Sequence, residues 1–206
     1  MEIHSRNAAF QRLEALKRSR RKRNQLGLVY VEGVQPINAA MRSGVSIEHV
    51  FIDASRIPST WAETVARSAA NVDRISPVLM AELSEKSEPS ELVALVERPQ
   101  LDPSRLIVDA GSVWVLVDRP ASHGNLGSIV RTCDAFGAAT LLTTGHAVDL
   151  FDPATIRASV GTVFNVPVGH IEMPALRSLI AAHADMNVYA TSAKAALPVD
   201  TAALQT

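Results

Sequence analysis

The stretch "VWVLVDRPASHGNLGSIVRTCDAFGAATLLTT", residues 113–144, decides the fold class. It opens on an apolar, β-branched run, "VWVLVD" at 113–118, of the kind that forms a parallel strand buried on both faces. The loop "RPASHG" leads into a helix expected from about Asn125 to Phe136, and "AATLLTT" (138–144) returns as a strand. Leu126, Ile129, Val130, Cys133 and Phe136 recur at helical spacing and form one core-facing stripe. Asn125 sits where an N-cap belongs, able to accept from the unpaired amides of the first turn. Gly124 and Gly127 leave that turn open to another backbone or to a ligand. Arg131 lies one turn beyond Gly127, on the face away from the stripe.

The alternation continues downstream. "PATIRASVG" (153–161) reads as a helix, "VFNVPV" (163–168) as a strand, "MPALRSLIAAHA" (173–184) as a helix and "NVYATS" (187–192) as a last strand. Strand–helix alternation of this kind implies a mostly parallel α/β sheet with right-handed crossovers. Its ligand site belongs beyond the carboxyl ends of the strands, where the loops at 118–125, 144–153 and 191–198 should open.

Upstream, strands at 26–33, 47–53, within "VDRIS" and at 91–99 alternate with helices at 34–44, 59–69 and from Pro77. These make a small α/β sandwich. The division expected is a front domain at 1–97, a linker at 98–112 ("RPQLDPSRLIVDAGS") and a second domain at 113–206.

With 206 residues, 47% hydrophobic and 20% charged, the chain is a globular one outside the disordered range. Its apolar runs are too short to span a bilayer, and its polar, basic start is no secretory signal. A single cysteine, Cys133, excludes a disulfide framework and a Cys-rich zinc site. The cytosol is the expected compartment.

The net charge of −1 hides an asymmetry. Residues 1–24 hold eight Lys/Arg against Glu2 and Glu14, a surplus of +6, so the rest of the chain carries −7. Lys17, Arg18, Arg20, Arg21, Lys22 and Arg23 crowd into "KRSRRKR". Phe10, Leu13 and Leu16 just before it suit a short helix with a buried stripe, which would anchor the basic segment to a folded body. Such a segment suits contact with the phosphates of a polyanion, and the lack of interleaved aromatics argues against base stacking. Generic catalytic motifs do not fit elsewhere. No Gly-Lys-Ser/Thr phosphate loop is present, the glycine spacing is not that of a dinucleotide fingerprint, and His123 has no serine or acid partner at a usable spacing. Residue patterns alone stop at a polar loop and helix start at the ligand edge of a parallel sheet.

"NLGSIVRTCDAFGA" resembles the first motif of the SpoU (TrmH) branch of the SPOUT RNA methyltransferases through Asn125, Gly127, Arg131, Thr132, Phe136, Gly137 and Ala138. "DLFDPATIRASVGTVFNVPV" (149–168) is similar to that family's next segment, with Asp152-Pro153, Arg157-Ala158-Ser159, Gly161, Phe164 and Pro167 in place. The front block, with its basic lead-in and "YVEGVQPINAAMRSGVSIEHVFI", resembles the family's L30e-like substrate-binding domain.

The resemblance implies 2′-O-methylation of a ribose in structured RNA, ribosomal rather than transfer RNA, with S-adenosylmethionine as donor and a homodimer as the working form. It assigns catalysis to Arg131 and Asn125, the start of the donor side to Thr191 and Ser192, RNA contact to the basic run and Arg157, and no metal. The family's Phe-Gly-Asn-Glu-Gly, Ile-Pro-Met and Ser-Leu-Asn-Val-Ser segments, which build its trefoil knot, do not occur before the final "ALQT". The expectation is therefore a SPOUT sheet truncated before the knot, with a noncatalytic RNA-binding protein as the alternative to an enzyme.

Overall fold

The structure is a computed structural model in which residues 2–84, 88–102, 106, 111–183, 186–192 and 194–198 are described. The front half is a five-stranded mixed sheet with helices on both faces. Its strands are β1 (Glu2–Ile3), β2 (Leu28–Glu32), β3 (Ile47–Asp53), β4 (Ala69–Ile75) and β5 (Leu92–Glu97), in the order β1-β4-β3-β5-β2. β3 and β1 run parallel to β4, while β5 runs antiparallel to both β2 and β3.

Strand periodicity of two places alternate side chains on opposite faces. Leu28, Tyr30, Phe51, Val93 and Leu95 pack on one side, under α1 (Ala8–Arg18) and α5 (Pro77–Leu83). Val29, Val31, Val50, Ile52, Leu92, Ala94 and Val96 pack on the other, with α3 (Val34–Arg42) and α4 (Thr60–Ser68). The expected stripe of α1 is buried as spaced: Phe10, Leu13 and Leu16 are all in the core. Ser19 then breaks the basic run and caps α2 (Arg20–Leu26), accepting from the Lys22 amide.

The second half is a parallel three-stranded sheet, β6 (Trp114–Asp118), β7 (Thr140–Thr144) and β8 (Val168–His170), in that order. It carries α6 (His123–Ala135), α7 (Pro153–Ala158) and α8 (Met173–Ala182). A 3-10 turn, Thr162–Phe164, precedes β8.

Four expectations change here. Among the described residues β6 pairs only with β7, and Val113 and Leu116 are exposed, so it is an edge strand there and not one buried on both faces. "VFNVPV" is not a strand: the left-handed Gly161 (φ 85°) turns the chain into the 3-10 turn, and the strand begins only at Val168. Residues 187–192 are exposed and form no strand. Phe136 lies outside the stripe and is 85% exposed.

The two halves share one core. Leu126, Val130, Cys133, Ile156, Val163 and Phe164 belong to the same buried cluster as Val29, Val31 and Ile37. A Cβ on Gly161 would lie 2.5 Å from Pro36 Cα of α3, so the halves meet there backbone against backbone.

Candidate functional site

The carboxyl ends of the parallel strands, Asp118, Thr144 and His170, define a rim from which loops lead to α6 and α7. α6 starts two residues earlier than its sequence suggests. Ser122 is the N-cap, accepting from the Asn125 amide at 3.3 Å, which leaves the Asn125 side chain exposed on the first turn. Gly127 is buried, and a Cβ there would stand 2.6 Å from Ala158 Cβ and 2.7 Å from the Thr155 carbonyl. Of the two readings of this glycine, the close approach is to another backbone.

Arg131 is exposed, and its side chain makes no hydrogen bond or ion pair among the described residues. Gly124 lies seven positions earlier, on the same helix face. Helical side chains lean toward the N-terminus, which in α6 is the end at the rim. Cys133 is in the core, where burial pushes its thiol pKa up, so it is a packing residue and not a nucleophile.

The basic run divides. Arg23 is 1% exposed and leaves the RNA-contact set altogether. Its Nε donates to Asp149 Oδ2 (2.8 Å), its Nη2 to Asp152 Oδ2 (2.8 Å), and its Nη1 to the carbonyls of Leu16 (2.8 Å) and Lys17 (2.9 Å). It therefore joins the end of α1 to the loop before α7. Asp149 and Asp152, which the sequence reading left without a role in holding the halves together, are its partners. Asp152 also caps α7 through the Ala154 amide, and its Oδ1 lies 3.9 Å from His123 Nε2.

Arg21 and Lys22 remain exposed on α2. Arg18 pairs with Glu14 at 3.1 Å, and Arg20 donates to the Ala147 carbonyl at 2.8 Å. Lys17 is half-buried and Arg157 exposed, each engaged by a neighbour.

Thr191 and Ser192 are exposed; the Ser192 hydroxyl accepts from the Lys194 amide at 3.2 Å. They lie after α8, and no described contact brings them to the rim. The rim itself holds a different candidate: Thr144 Oγ1, buried with no hydrogen-bond partner in the described structure. A buried hydroxyl without a partner costs free energy, so its place at the end of the central strand fits a polar ligand seated on the rim. No group of three or more His, Cys, Asp or Glu that could hold a metal occurs among the described residues.

A mixed sheet is thus joined to a parallel sheet, with Asn125 and Arg131 both exposed on the first rim helix. Family models agree: the SpoU L30e-like domain matches residues 7–94, and the SpoU rRNA Methylase family matches residues 112–205. The chain is 41% identical over 174 residues to the 23S rRNA (uridine(2479)-2′-O)-methyltransferase of Streptomyces viridochromogenes, covering 84% of this chain and 61% of that protein. It is 24% identical over 181 residues to the 23S rRNA (guanosine(2553)-2′-O)-methyltransferase RlmP of Bacillus subtilis, covering 87% of this chain and 68% of that protein. The crystal structure of the SpoU methyltransferase AviRb from Streptomyces viridochromogenes with AdoMet superposes with a TM-score of 0.80 at 39% identity, covering 87% of this chain and 69% of that one. The chain belongs to the SpoU methylase family.

Proposed function

We propose that this protein is a 2′-O-ribose methyltransferase of structured RNA, acting on large-subunit ribosomal RNA and using S-adenosylmethionine. The single observation that carries the reading is Arg131: a charged side chain left unpaired on the helix that opens at the rim, in a family of methylases.

S-adenosylmethionine supplies an electrophilic methyl group when bound, and Thr144 Oγ1 is the rim atom that would meet it. The residues of this chain act on the nucleophile. A guanidinium stays protonated at ordinary pH, so Arg131 is no general base. It stabilises the alkoxide that develops as the ribose 2′-hydroxyl gives up its proton to an RNA phosphate or water. Asn125, exposed six residues nearer the rim, supports the bound ribose by hydrogen bonding. Arg21 and Lys22 hold the RNA backbone. The working form is a homodimer in the cytosol; no helix among the described residues is long and apolar enough to cross a membrane.

The test is transfer of tritiated methyl from S-adenosylmethionine to ribosomal RNA, scored as alkali-resistant dinucleotides, the product that 2′-O-methylation leaves. Loss of one such donor costs on the order of 3 kcal/mol, about a hundredfold or more in rate. Arg131→Ala is expected to lose transfer while RNA affinity stays within a few-fold. Transfer by this variant near the wild-type rate would remove Arg131 from the chemistry. Calorimetric titration of S-adenosylmethionine checks the donor separately, and no heat of binding would leave a noncatalytic RNA-binding protein.

A further inference from the structure

We propose that Arg119 is a phosphate-contact residue, and that with Arg21 and Lys22 of α2 it forms one RNA-binding surface crossing the loop at 145–152. The inference rests on the RNA reading above and names a contact in the parallel-sheet half that the motifs do not include.

Three features of the fold hold Arg119 out at the rim. It follows β6 directly and has φ of 46°, in the left-handed region, although it is neither glycine nor asparagine. It also precedes Pro120, which favours extended backbone at its position, so the conformation costs free energy twice. The Arg119 amide donates to the Thr144 carbonyl at 2.9 Å, which locks that backbone across the strand ends. Its stem then lies against Gly145, where a Cβ would come within 2.6 Å of Arg119 Cγ. Finally, Nε donates to Asp118 Oδ2 at 2.9 Å, and Nη2 forms an ion pair with the same oxygen at 2.8 Å, which orients the guanidinium.

The Arg119 side chain remains 71% exposed, and Nη1 makes no hydrogen bond among the described residues. A planar fork held by one edge presents its other edge to an acceptor, and a phosphate suits that geometry.

The surroundings identify the partner as a polyanion. Two residues beyond Gly145, the Ala147 carbonyl accepts from Arg20 of α2, and Arg23 clamps the same loop through Asp149 and Asp152. The cations of α2 and Arg119 therefore flank a single short loop, with the exposed His146 between them. Because Arg23 is buried and saturated, that spacing is fixed. An RNA strand lying on α2 meets the rim at Arg119.

A purely structural Arg119–Asp118 pair makes a different prediction from a phosphate contact. Arg119→Gly removes the side chain and relieves the positive φ, so it keeps the fold. The measurement is binding of a fluorescein-labelled RNA hairpin of mixed sequence across a potassium chloride series, with thermal melting of each variant. Arg119→Gly is expected to melt at or above the wild-type temperature. It should bind about fivefold more weakly near 0.1 M salt, and the log–log salt slope should fall by about one. Asp118→Asn should act in the opposite direction and tighten binding. Unchanged affinity and slope in Arg119→Gly, with weakened binding in Arg21→Ala/Lys22→Ala, would overturn this assignment and leave the RNA reading standing. Failure of the wild-type protein to bind the hairpin would overturn both. A lower melting temperature in Arg119→Gly, or weaker binding in Asp118→Asn, would show the pair to be structural.

Discussion

Arg23 and Arg131 show how differently one residue type can be used. Both look solvent-exposed in the sequence, one inside a charge run and one on the polar face of a helix. Arg131 is exposed, while Arg23 has its guanidinium hydrogen-bonded to two carboxylates and two carbonyls in the core. Its carboxylates lie 126 and 129 residues away in sequence, so no local pattern announces them. A buried ion pair contributes little net stability against an apolar replacement, but removing one partner strands the other charges. Arg23→Met keeps the apolar stem and leaves Asp149 and Asp152 uncompensated. It should cost about 3–5 kcal/mol, read as a lower urea midpoint at unchanged slope. A midpoint like that of the wild type would mean that water reaches these carboxylates and that the clamp is weak. The same clamp explains why a basic segment near the chain start is ordered: Arg23 ties the carbonyls that end α1 to the loop before α7.

At the scale of elements, α6 and α7 pack as one unit beneath the candidate site, and Gly127 is its closest point. Its missing side chain lets Ala158, Thr155 and Ser159 of the second motif approach within 2.6–2.8 Å of where a Cβ would stand. Gly127→Ala should push α7 away and, by overpacking, cost about 1–3 kcal/mol, measured by thermal denaturation. A neutral effect would show that the two helices can slide apart freely. Most elements here were legible because periodicity and turn residues agree: Phe10, Leu13 and Leu16 gave the buried face of α1, and β3 spans the expected 47–53. The misses have separate causes. Phe136 lies ten residues after Leu126, about 80° short of three full turns, so it falls off the stripe. Val163, Phe164 and Val166 are buried as an apolar run suggests, yet burial alone does not separate a strand from a 3-10 turn. "NVYATS" has strand-forming residues, but β structure depends on a neighbour to pair with, and a single sequence does not show which edge is open. Ser122 took the capping role from Asn125 because either side chain can accept from a first-turn amide. For the candidate site, the motif resemblance pointed to Asn125 and Arg131, whereas Thr144 and Arg119 emerge only once strand ends and backbone angles are known.

At the scale of the whole molecule, the boundary between the two family-model matches is not a boundary in the packing. Ile37 and Val31 of the front half share a core with Val130, Phe164 and Ile156 of the second. The start of the expected linker is also docked: the Arg98 amide donates to the Gly27 carbonyl, and its guanidinium sits 4.9 Å above the Phe151 ring. A flexibly tethered RNA-binding domain would need none of these contacts. The geometry instead holds the cations of α2 at a fixed place relative to the rim, which pre-organises the surface proposed to meet RNA. Calorimetry should therefore show one cooperative unfolding transition for the protein, since the halves lose their shared core together. Gly161→Ala tests the contact itself. The substitution combines a left-handed φ of 85° with a Cβ 2.5 Å from Pro36 Cα, so it strains both the turn and the junction. Each kcal/mol lost lowers the melting temperature of a chain this size by about 2–4 °C, so a drop of at least several degrees is expected. Two resolved transitions in the wild-type protein, with Gly161→Ala shifting neither, would mean that the halves fold independently. The spacing between α2 and Arg131 would then be set by RNA and not by the protein.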